Sequence, residues 1–444
     1  MKVLFLEIDT EREWAVASIG PAFLAAYVRP HGHRVKILRV PPGQSAEEVI
    51  DAIRQIAPDL LGLSLTSRQW LRARGLVAEV RESLGIPVVA GGLHPTFSPE
   101  TVLASPGFDY VCLGEGEAAF LDLLGALEQR GRAEPGEIRN LWVRGGPRPV
   151  LRSPIDPLDA IPFIARDLLD EPPGVVHMET QRGCPFPCTY CAARNFNQLY
   201  REVGSYGRRR SHDNVLAELA ELEAAGKLGY VIFLDDTFTI QRRWVAELCR
   251  LYGEHFGHPF SIHARVETVD QELLGQLAAA GCRHVTYGVE SGSYRIRRDV
   301  MRRPVRNQRF RDVFRWTREA GIMVTANYML GLPEETRGDL EQTYVLAEEL
   351  DAYDFGYFVF YPYPGTHLFE HCRERGYLPA DYGELPASHR ESILRLPSLT
   401  PDDVAEFYER FTQLRERLYR ERYVGPADGE EAAVQHVREC AASG

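Results

Sequence analysis

Lysine is nearly missing from this 444-residue chain: it occurs only at positions 2, 36 and 227, and arginine supplies the rest of the 51 basic residues. That bias is one of composition and carries no function. The 63 acids leave a net charge of −12, so no basic excess exists to neutralise phosphates, which excludes a non-specific nucleic-acid or anionic-membrane binder. No apolar run reaches the ~20 residues that span a bilayer. The opening MKVLFLEID is broken by acids within nine residues and lacks the basic region, longer apolar segment and small-residue cleavage site of a secretory signal. The expectation is a cytoplasmic protein with no membrane span. Eight cysteines are too sparse for a disulfide scaffold. Internal repeats and low-complexity tracts are absent. What is present is 44% apolar and 26% charged residues, enough for a full core, over a length that suggests two or three domains.

The first ~130 residues alternate strand and helix signals. Strands are expected at Lys2–Ile8, Arg34–Val40, Leu60–Leu65, Ile86–Ala90 and Asp109–Leu113. The helices between them include Ser45–Ile56, which opens on a capping Ser with acids in its first turn. This pattern predicts a doubly wound parallel sheet of flavodoxin type, with its ligand outside the carboxyl ends of the strands. The loops Asp9–Gly20, Ser64–Ser67 and Gly91–Thr96 fall there. Residues 141–174 are rich in proline and lack periodicity, as a linker would. From Val175 six further βα-type units follow, with strands near Val175–Thr180, Tyr230–Leu234, Phe260–Ala264, His284–Val289, Met323–Leu330 and Phe355–Tyr361. They predict a partial (β/α)6 barrel over 175–375. A short helical C-terminal region over 376–444, with a charged helix near 401–422, completes an α/β chain whose first domain is 1–140.

Three cysteines cluster. Arg182–Cys191 reads RGCPFPCTYC, with Cys184, Cys188 and Cys191 separated by three and then two residues just after the first strand of the second domain. Thiolates hold iron–sulfur clusters, and three on one loop can bind three irons of a cubane and leave the fourth open. A structural zinc site would need a fourth ligand, for which His177 and His212 are the nearest candidates. Cys112, Cys249, Cys282, Cys372 and Cys440 read as small buried hydrophobes.

The C-x3-C-x2-C loop, with Tyr190 before its last cysteine and a barrel strand before it, resembles the radical SAM superfamily. The resemblance implies that Cys184, Cys188 and Cys191 carry a catalytic 4Fe–4S cluster, whose open iron chelates S-adenosylmethionine (SAM). One electron then cleaves the sulfonium to a 5′-deoxyadenosyl radical. It also implies a low-potential electron donor such as flavodoxin or ferredoxin as a partner. Segments at later strand ends fit the same family. Tyr190 is expected near the cluster and adenine. In FLDDTF (233–238), Asp235 and Asp236 are expected at the SAM ammonium, with helix capping as the competing role. In HARVE (263–267), Arg265 is expected to fork onto the SAM carboxylate, with a structural ion pair as the alternative. In YGVESGS (287–293), Glu290 and Ser291 are expected at the ribose and methionine. In NYMLGLPEET (327–336), Gly331 is expected to let backbone approach adenine. Many relatives carry Gly where this chain has Glu334.

Ahead of the barrel, GGLHP (91–95) and LGEGE (113–117) resemble the cobalamin-binding radical SAM enzymes. These include the class B methyltransferases and the anaerobic Mg-protoporphyrin ester cyclase branch, and the resemblance implies a cobalamin-binding first domain. Ser64, Gly91 and Gly92 match the family's Ser and Gly-Gly marks, and His94 is expected as a loop residue beside the nucleotide tail. Asp9–Gly20 contains no His, so the D-x-H-x-x-G cobalt-ligand motif of carrier proteins is missing.

The expected function is cobalamin-dependent methylation of an unactivated carbon in a small-molecule or lipid-like substrate, with no nucleic acid involved. The alternative keeps the barrel and SAM cleavage but ends in cyclisation, oxidation or transfer of another group, with the first domain a scaffold. A tRNA methylthiotransferase would need three cysteines in the first domain, which has only Cys112, and a non-enzymatic carrier would not need the barrel motifs. Phe196, Tyr200, Tyr206, Tyr357, Tyr361 and Tyr363 are candidates for the substrate mouth.

Overall fold

Lys2–Ile8 (β1) buries six of its seven residues, as a strand covered on both faces must. Its alternation separates two cores. Leu4, Leu6 and Ile8 face one, while Val3 and Phe5 face the other. In this computed structural model, which describes residues 1–9 and 19–423, the chain divides into two units. The first is Met1–Asp170 together with 195–206 and 383–387, and the second is the remainder.

The first unit runs β1, α1 (Ile19–Val28), β2 (Arg34–Val40), α2 (Ala46–Ile56), β3 (Leu60–Ser64), α3 (Ser67–Leu84), β4 (Val88–Gly91), α4 (Leu93–Phe97), α5 (Pro99–Ala104), β5 (Tyr110–Cys112), α6 (Glu117–Arg130) and β6 (Leu141–Val143). The sheet order is β2-β1-β3-β4-β5-β6. The first five strands are parallel, as expected for a flavodoxin-like sheet, and the order reverses between β1 and β3. Helices α2 and α3 cover the Leu4 face, and α1 and α6 the Val3 face. Helix α2 starts with a complete capping box, Ser45 with Glu48.

Sequence periodicity misses β6, which pairs antiparallel with β5 at the head of the Pro-rich 141–174 segment. Three residues are too few to show a period. Further along that segment Leu158, Ile161 and Ile164 are buried, so the prolines form a packed strap rather than a free tether. Most of it, to Asp170, groups with the first unit.

The second unit contains β7 (Val175–Met178), β8 (Gln181–Arg182), the start of α7 (Ala192–Tyr200), β9 (Arg208–Arg209), α8 (His212–Ala224), β10 (Tyr230–Phe233), α9 (Arg242–His255), β11 (Phe260–Ala264), α10 (Gln271–Ala280), β12 (Cys282–Glu290), α11 (Asn307–Glu319), β13 (Met323–Leu330), α12 (Arg337–Leu350), β14 (Asp354–Val359), α13 (His367–Glu374) and α14 (Pro401–Tyr423). Its main sheet is six parallel strands ordered β14-β13-β12-β11-β10-β7. Each is followed by a helix, as the alternation of the sequence predicts. Along β12 and β13 every second residue is buried against the helices. The intervening side chains face the opposite side. The short strands β8 and β9 pair antiparallel beside the cysteine loop.

Helix α14 is charged, yet Val404, Phe407, Phe411 and Leu414 belong to this unit's main core. Phe411 packs against Tyr357, Tyr328 and Phe355. Tyr357 is therefore a core residue, with its hydroxyl donating to Thr412, and not part of a substrate mouth.

Candidate functional site

The cysteine loop follows β8 and is pinned on two sides. Thr189 donates through its backbone N–H to Met301 O and through Oγ1 to Val300 O (2.7 Å), and its carbonyl accepts from Leu368 N (3.0 Å). At the other end the Asp235 carboxylate accepts from Thr180 N (2.8 Å), Thr180 Oγ1 (2.7 Å) and Gln181 N (2.8 Å), fixing the turn from β7 into β8. Cys184 and Cys188 are buried and Cys191 is half-buried. Cys184 Sγ lies 3.6 Å from Thr237 Oγ1, and Cys188 Sγ accepts from Arg265 Nη1 at 3.0 Å. Burial pushes the Cys184 thiol up. Burial, Asp236 and the two neighbouring thiols push Cys191 to about 12.

The Cys184 and Cys188 thiols are thus close enough to Cys191 to oppose its ionisation. Three neighbouring sulfur donors on one loop are the donor set that the irons of a cluster would take as thiolates. Among the described residues no three His, Cys, Asp or Glu side chains are grouped around the point of a single metal ion. A cubane does not require such a group, because it takes each thiolate on a different iron. His177 and His212, the nearest fourth ligands for zinc, are engaged by Glu171 and by the Trp244 carbonyl.

The two acids of FLDDTF part company. Asp235 is fully enclosed, and burial lifts its carboxyl to about 6 although Thr180 and Gln181 bond it. Its oxygens are committed to the turn between β7 and β8, which is neither the SAM ammonium nor the helix capping expected of it. Asp236 is open to solvent beside Cys184 and Cys191, its carboxyl pushed up by partial desolvation. Of the pair, only Asp236 has a carboxylate available to a ligand.

Arg265 reaches the cysteine loop rather than standing clear of it. Besides Cys188 it donates to Glu267 and lies 3.9 Å above the Phe186 ring centroid. Its Nε is buried without a partner. Burial would raise the Glu267 carboxyl, but Arg303 and Arg265 together hold it down near 2.

Glu290 ends β12 with a left-handed φ of +69°, after a register shift between β12 and β13. Its Oε1 accepts from Tyr190 OH at 3.2 Å and lies 3.8 Å from Arg303 Nη1. Burial raises its carboxyl and Arg303 opposes the rise. Tyr190 also packs on the apolar group of Ile296, Met301, Leu332, Phe360 and Leu368. Cys184, Cys188, Cys191, Tyr190, Asp236, Arg265 and Glu290 are therefore gathered at the carboxyl ends of the strands.

Two expected ligands are not. Ser291 is completely buried, its Oγ 3.3 Å from Thr343 Oγ1 and accepting from Ser293 N, so it holds the loop and faces no ligand. Gly331 gives its N–H to Glu335 Oε2 (2.8 Å), and a β-carbon there would meet Val404 on α14 at 3.2 Å. Its open face is covered by this chain's own helix. Glu335 also accepts from Leu332 N, and burial drives its carboxyl up to about 8. Glu334 adopts φ +62°, a conformation glycine takes more readily, and is held by His371 and Tyr377.

In the first unit Ser64 and Gly91 are paired across β3 and β4. Gly92 has φ +93°, and a β-carbon there would lie 2.8 Å from Leu65 N and 3.1 Å from Ser64 Oγ. Only glycine fits there, because the ends of β3 and β4 approach one another backbone to backbone. The expected third loop, Asp9–Gly20, lies mostly outside the described residues.

His94 corrects its expectation. It sits in α4, is 7% exposed, stacks on Trp70 at 4.8 Å and shares a hydrogen bond between Nδ1 and Ser67 Oγ (3.0 Å). Burial lowers it to about 4. It is a core histidine, packed there because the flat indole accepts its ring. Phe196 and Tyr200 each stack on Tyr206, and Tyr200 OH accepts from Glu115 N at 2.6 Å. Tyr361 and Tyr363 pack together at 5.1 Å in the second unit.

Known proteins match both halves. A model of the radical SAM superfamily matches residues 178–347, and one of the B12 binding domain matches residues 10–124. An uncharacterized methyltransferase of Pyrococcus horikoshii is 30% identical, over 84% of this chain and 83% of its own. The anaerobic magnesium-protoporphyrin IX monomethyl ester cyclase of Rubrivivax gelatinosus is 25% identical over 84% of this chain and 70% of its own. Among solved structures, the radical SAM methyltransferase TsrM of Kitasatospora setae, with cobalamin and a [4Fe-4S] cluster bound, shares the fold at a TM-score of 0.68. It is 18% identical and covers 84% of this chain and 75% of that one. The chain belongs to the radical SAM superfamily, among the members that place a B12 binding domain before the radical SAM domain, and is an enzyme of that family working with a 4Fe–4S cluster, SAM and cobalamin.

Proposed function

We propose that the enzyme methylates a carbon of a small or lipid-like molecule. The carrying observation is the convergence of three cysteine thiols with Asp236, Arg265, Glu267 and Glu290 at one end of the six-stranded sheet, in a chain whose first unit brings Ser64, Gly91 and Gly92 together at the ends of β3 and β4. When bound, the cluster with SAM supplies a carbon-centred radical and the corrinoid supplies a transferable methyl group.

The protein's part is to hold and orient. Cys184, Cys188 and Cys191 hold the cluster. Asp236 accepts from the SAM ammonium, and Glu290, steadied by Tyr190 and Arg303, accepts from the ribose hydroxyls. Ser64, Gly91 and Gly92 receive the cobalamin tail. Closure of the site by apolar side chains around Tyr190 keeps water from the reacting centre. A flavodoxin- or ferredoxin-like donor provides the electron, which fits a cytoplasmic enzyme. Among the described residues no helix is long and apolar enough to cross a membrane.

The test is anoxic reconstitution with iron, sulfide and hydroxocobalamin, followed by metal analysis and by transfer of label from methyl-labelled SAM to candidate substrates. Four irons, one cobalt and label in a product support the reading. Deoxyadenosine formed without label transfer supports a second reading, a cyclising or oxidising enzyme, which the likeness to the Rubrivivax cyclase favours.

A further inference from the structure

The guanidinium of Arg265 is shared between a sulfur of the cysteine loop and a carboxylate of this chain. Its Nη1 donates to Cys188 Sγ at 3.0 Å, Nη2 donates to Glu267, and the plane rests on Phe186. Glu267 is held in turn by Arg303, through Nε at 3.2 Å and Nη2 at 3.0 Å, while Arg303 Nη1 donates to Gly288 O at 2.6 Å. Arg303 is 2% exposed. A cation so deeply buried is kept only where it is fully paired. Its pairing fixes the carboxylate that fixes Arg265. The stack on Phe186 removes a further degree of freedom and shields the contact from water. The sequence separations, 77 residues from Arg265 to Cys188 and 36 from Arg303 to Glu267, make this a device of the fold rather than a local turn.

Resting on the reading that Cys184, Cys188 and Cys191 hold the cluster, we propose that Arg265 is a positioning residue for it. Arg265 donates a charge-assisted hydrogen bond to the Cys188 thiolate and raises the potential at which the cluster accepts its electron. Donation to a ligating sulfur draws off electron density, and the positive charge beside it favours the more negative, reduced cluster. The change is one electron, taken from an external low-potential one-electron donor, with no bond or proton transferred.

The test uses the full chain, anoxically reconstituted, with neither SAM nor substrate present, so that a role in holding the SAM carboxylate cannot produce the signal. Iron is counted, and the reduced fraction is followed by electron paramagnetic resonance during a dithionite titration. Arg265→Met and Arg265→Gln both remove the charged fork. The expected result is four irons per chain in both variants, with a reduced fraction about tenfold lower, which for a one-electron couple is a fall of about 59 mV. An unchanged potential in a cluster-loaded variant overturns the inference and leaves the cluster reading intact. Loss of iron from both variants also overturns it, because Arg265 would then hold the loop rather than tune it. Fewer than four irons in the unmodified chain overturns the cluster reading itself and the inference with it.

Discussion

Glu290 folds back over Gly288, so that a β-carbon at 288 would collide with Glu290 Oε1. The left-handed backbone at Glu290 and the register shift before it turn the carboxylate inward, where Tyr190 and Arg303 steady it. Space at 288 is thus a condition for the position of the acid two residues later. Gly288→Ala should displace the carboxylate without touching the cysteines. SAM should bind about tenfold more weakly, roughly 1.4 kcal/mol, while iron content stays at the unmodified level. Titration calorimetry on the cluster-loaded protein checks this, and undiminished SAM affinity would remove Glu290 from the ribose site.

Asp235 and Asp236 are neighbours with opposite fates. Asp235→Ala strips three buried donors of their acceptor and should cost about 2–4 kcal/mol, seen as a lower unfolding midpoint of the apoprotein. Asp236→Ala removes a carboxylate that is open to solvent, so the midpoint should hold while SAM affinity falls. Equal destabilisation by the two changes would contradict the division of labour.

The triple replacement Cys184→Ala, Cys188→Ala and Cys191→Ala should leave a folded chain with no brown absorbance and no deoxyadenosine from SAM. Replacing Cys249 and Cys282 with alanine should keep all four irons, since both are packed in the core of the second unit. Iron retained by the triple variant would refute the assignment of the cluster ligands.

What sequence could and could not reveal divides along physical lines. The strands and helices were legible because their periods extend over many residues: β11 and β13 fall on their expected limits. The cysteine triad was legible because its spacing is local. The strand β6 and helix α4 are too short to show a period. Arg303 and Glu267 were unreadable as a pair. Arginine is abundant throughout this chain, and only folding brings the two residues together. Ser291 and Gly331 carry family-like motifs, but their environment is set by Thr343 and by Val404 of α14, distant segments that no local pattern announces.

His94 offers a test of the first unit alone. Buried against Trp70, it stays neutral in the fold until about pH 4, whereas the unfolded chain protonates near 6.5. Above pH 6.5 neither state binds the proton and stability is unaffected. Between 6.5 and 4 only the unfolded state binds it, so stability falls as pH falls, by up to about 3 kcal/mol, and the loss levels off below 4. His94→Phe keeps a ring on Trp70 but has nothing to protonate. The difference in stability between the two proteins should be constant above pH 6.5 and should shift toward the variant as pH is lowered to 4. Hydrogen exchange of the β3 and β4 amides in urea, compared at pH 7 and pH 4.5, reads that shift where it arises. Parallel pH profiles for the two proteins would mean that His94 is solvated or partnered by an acid, and not the neutral core residue its packing makes it.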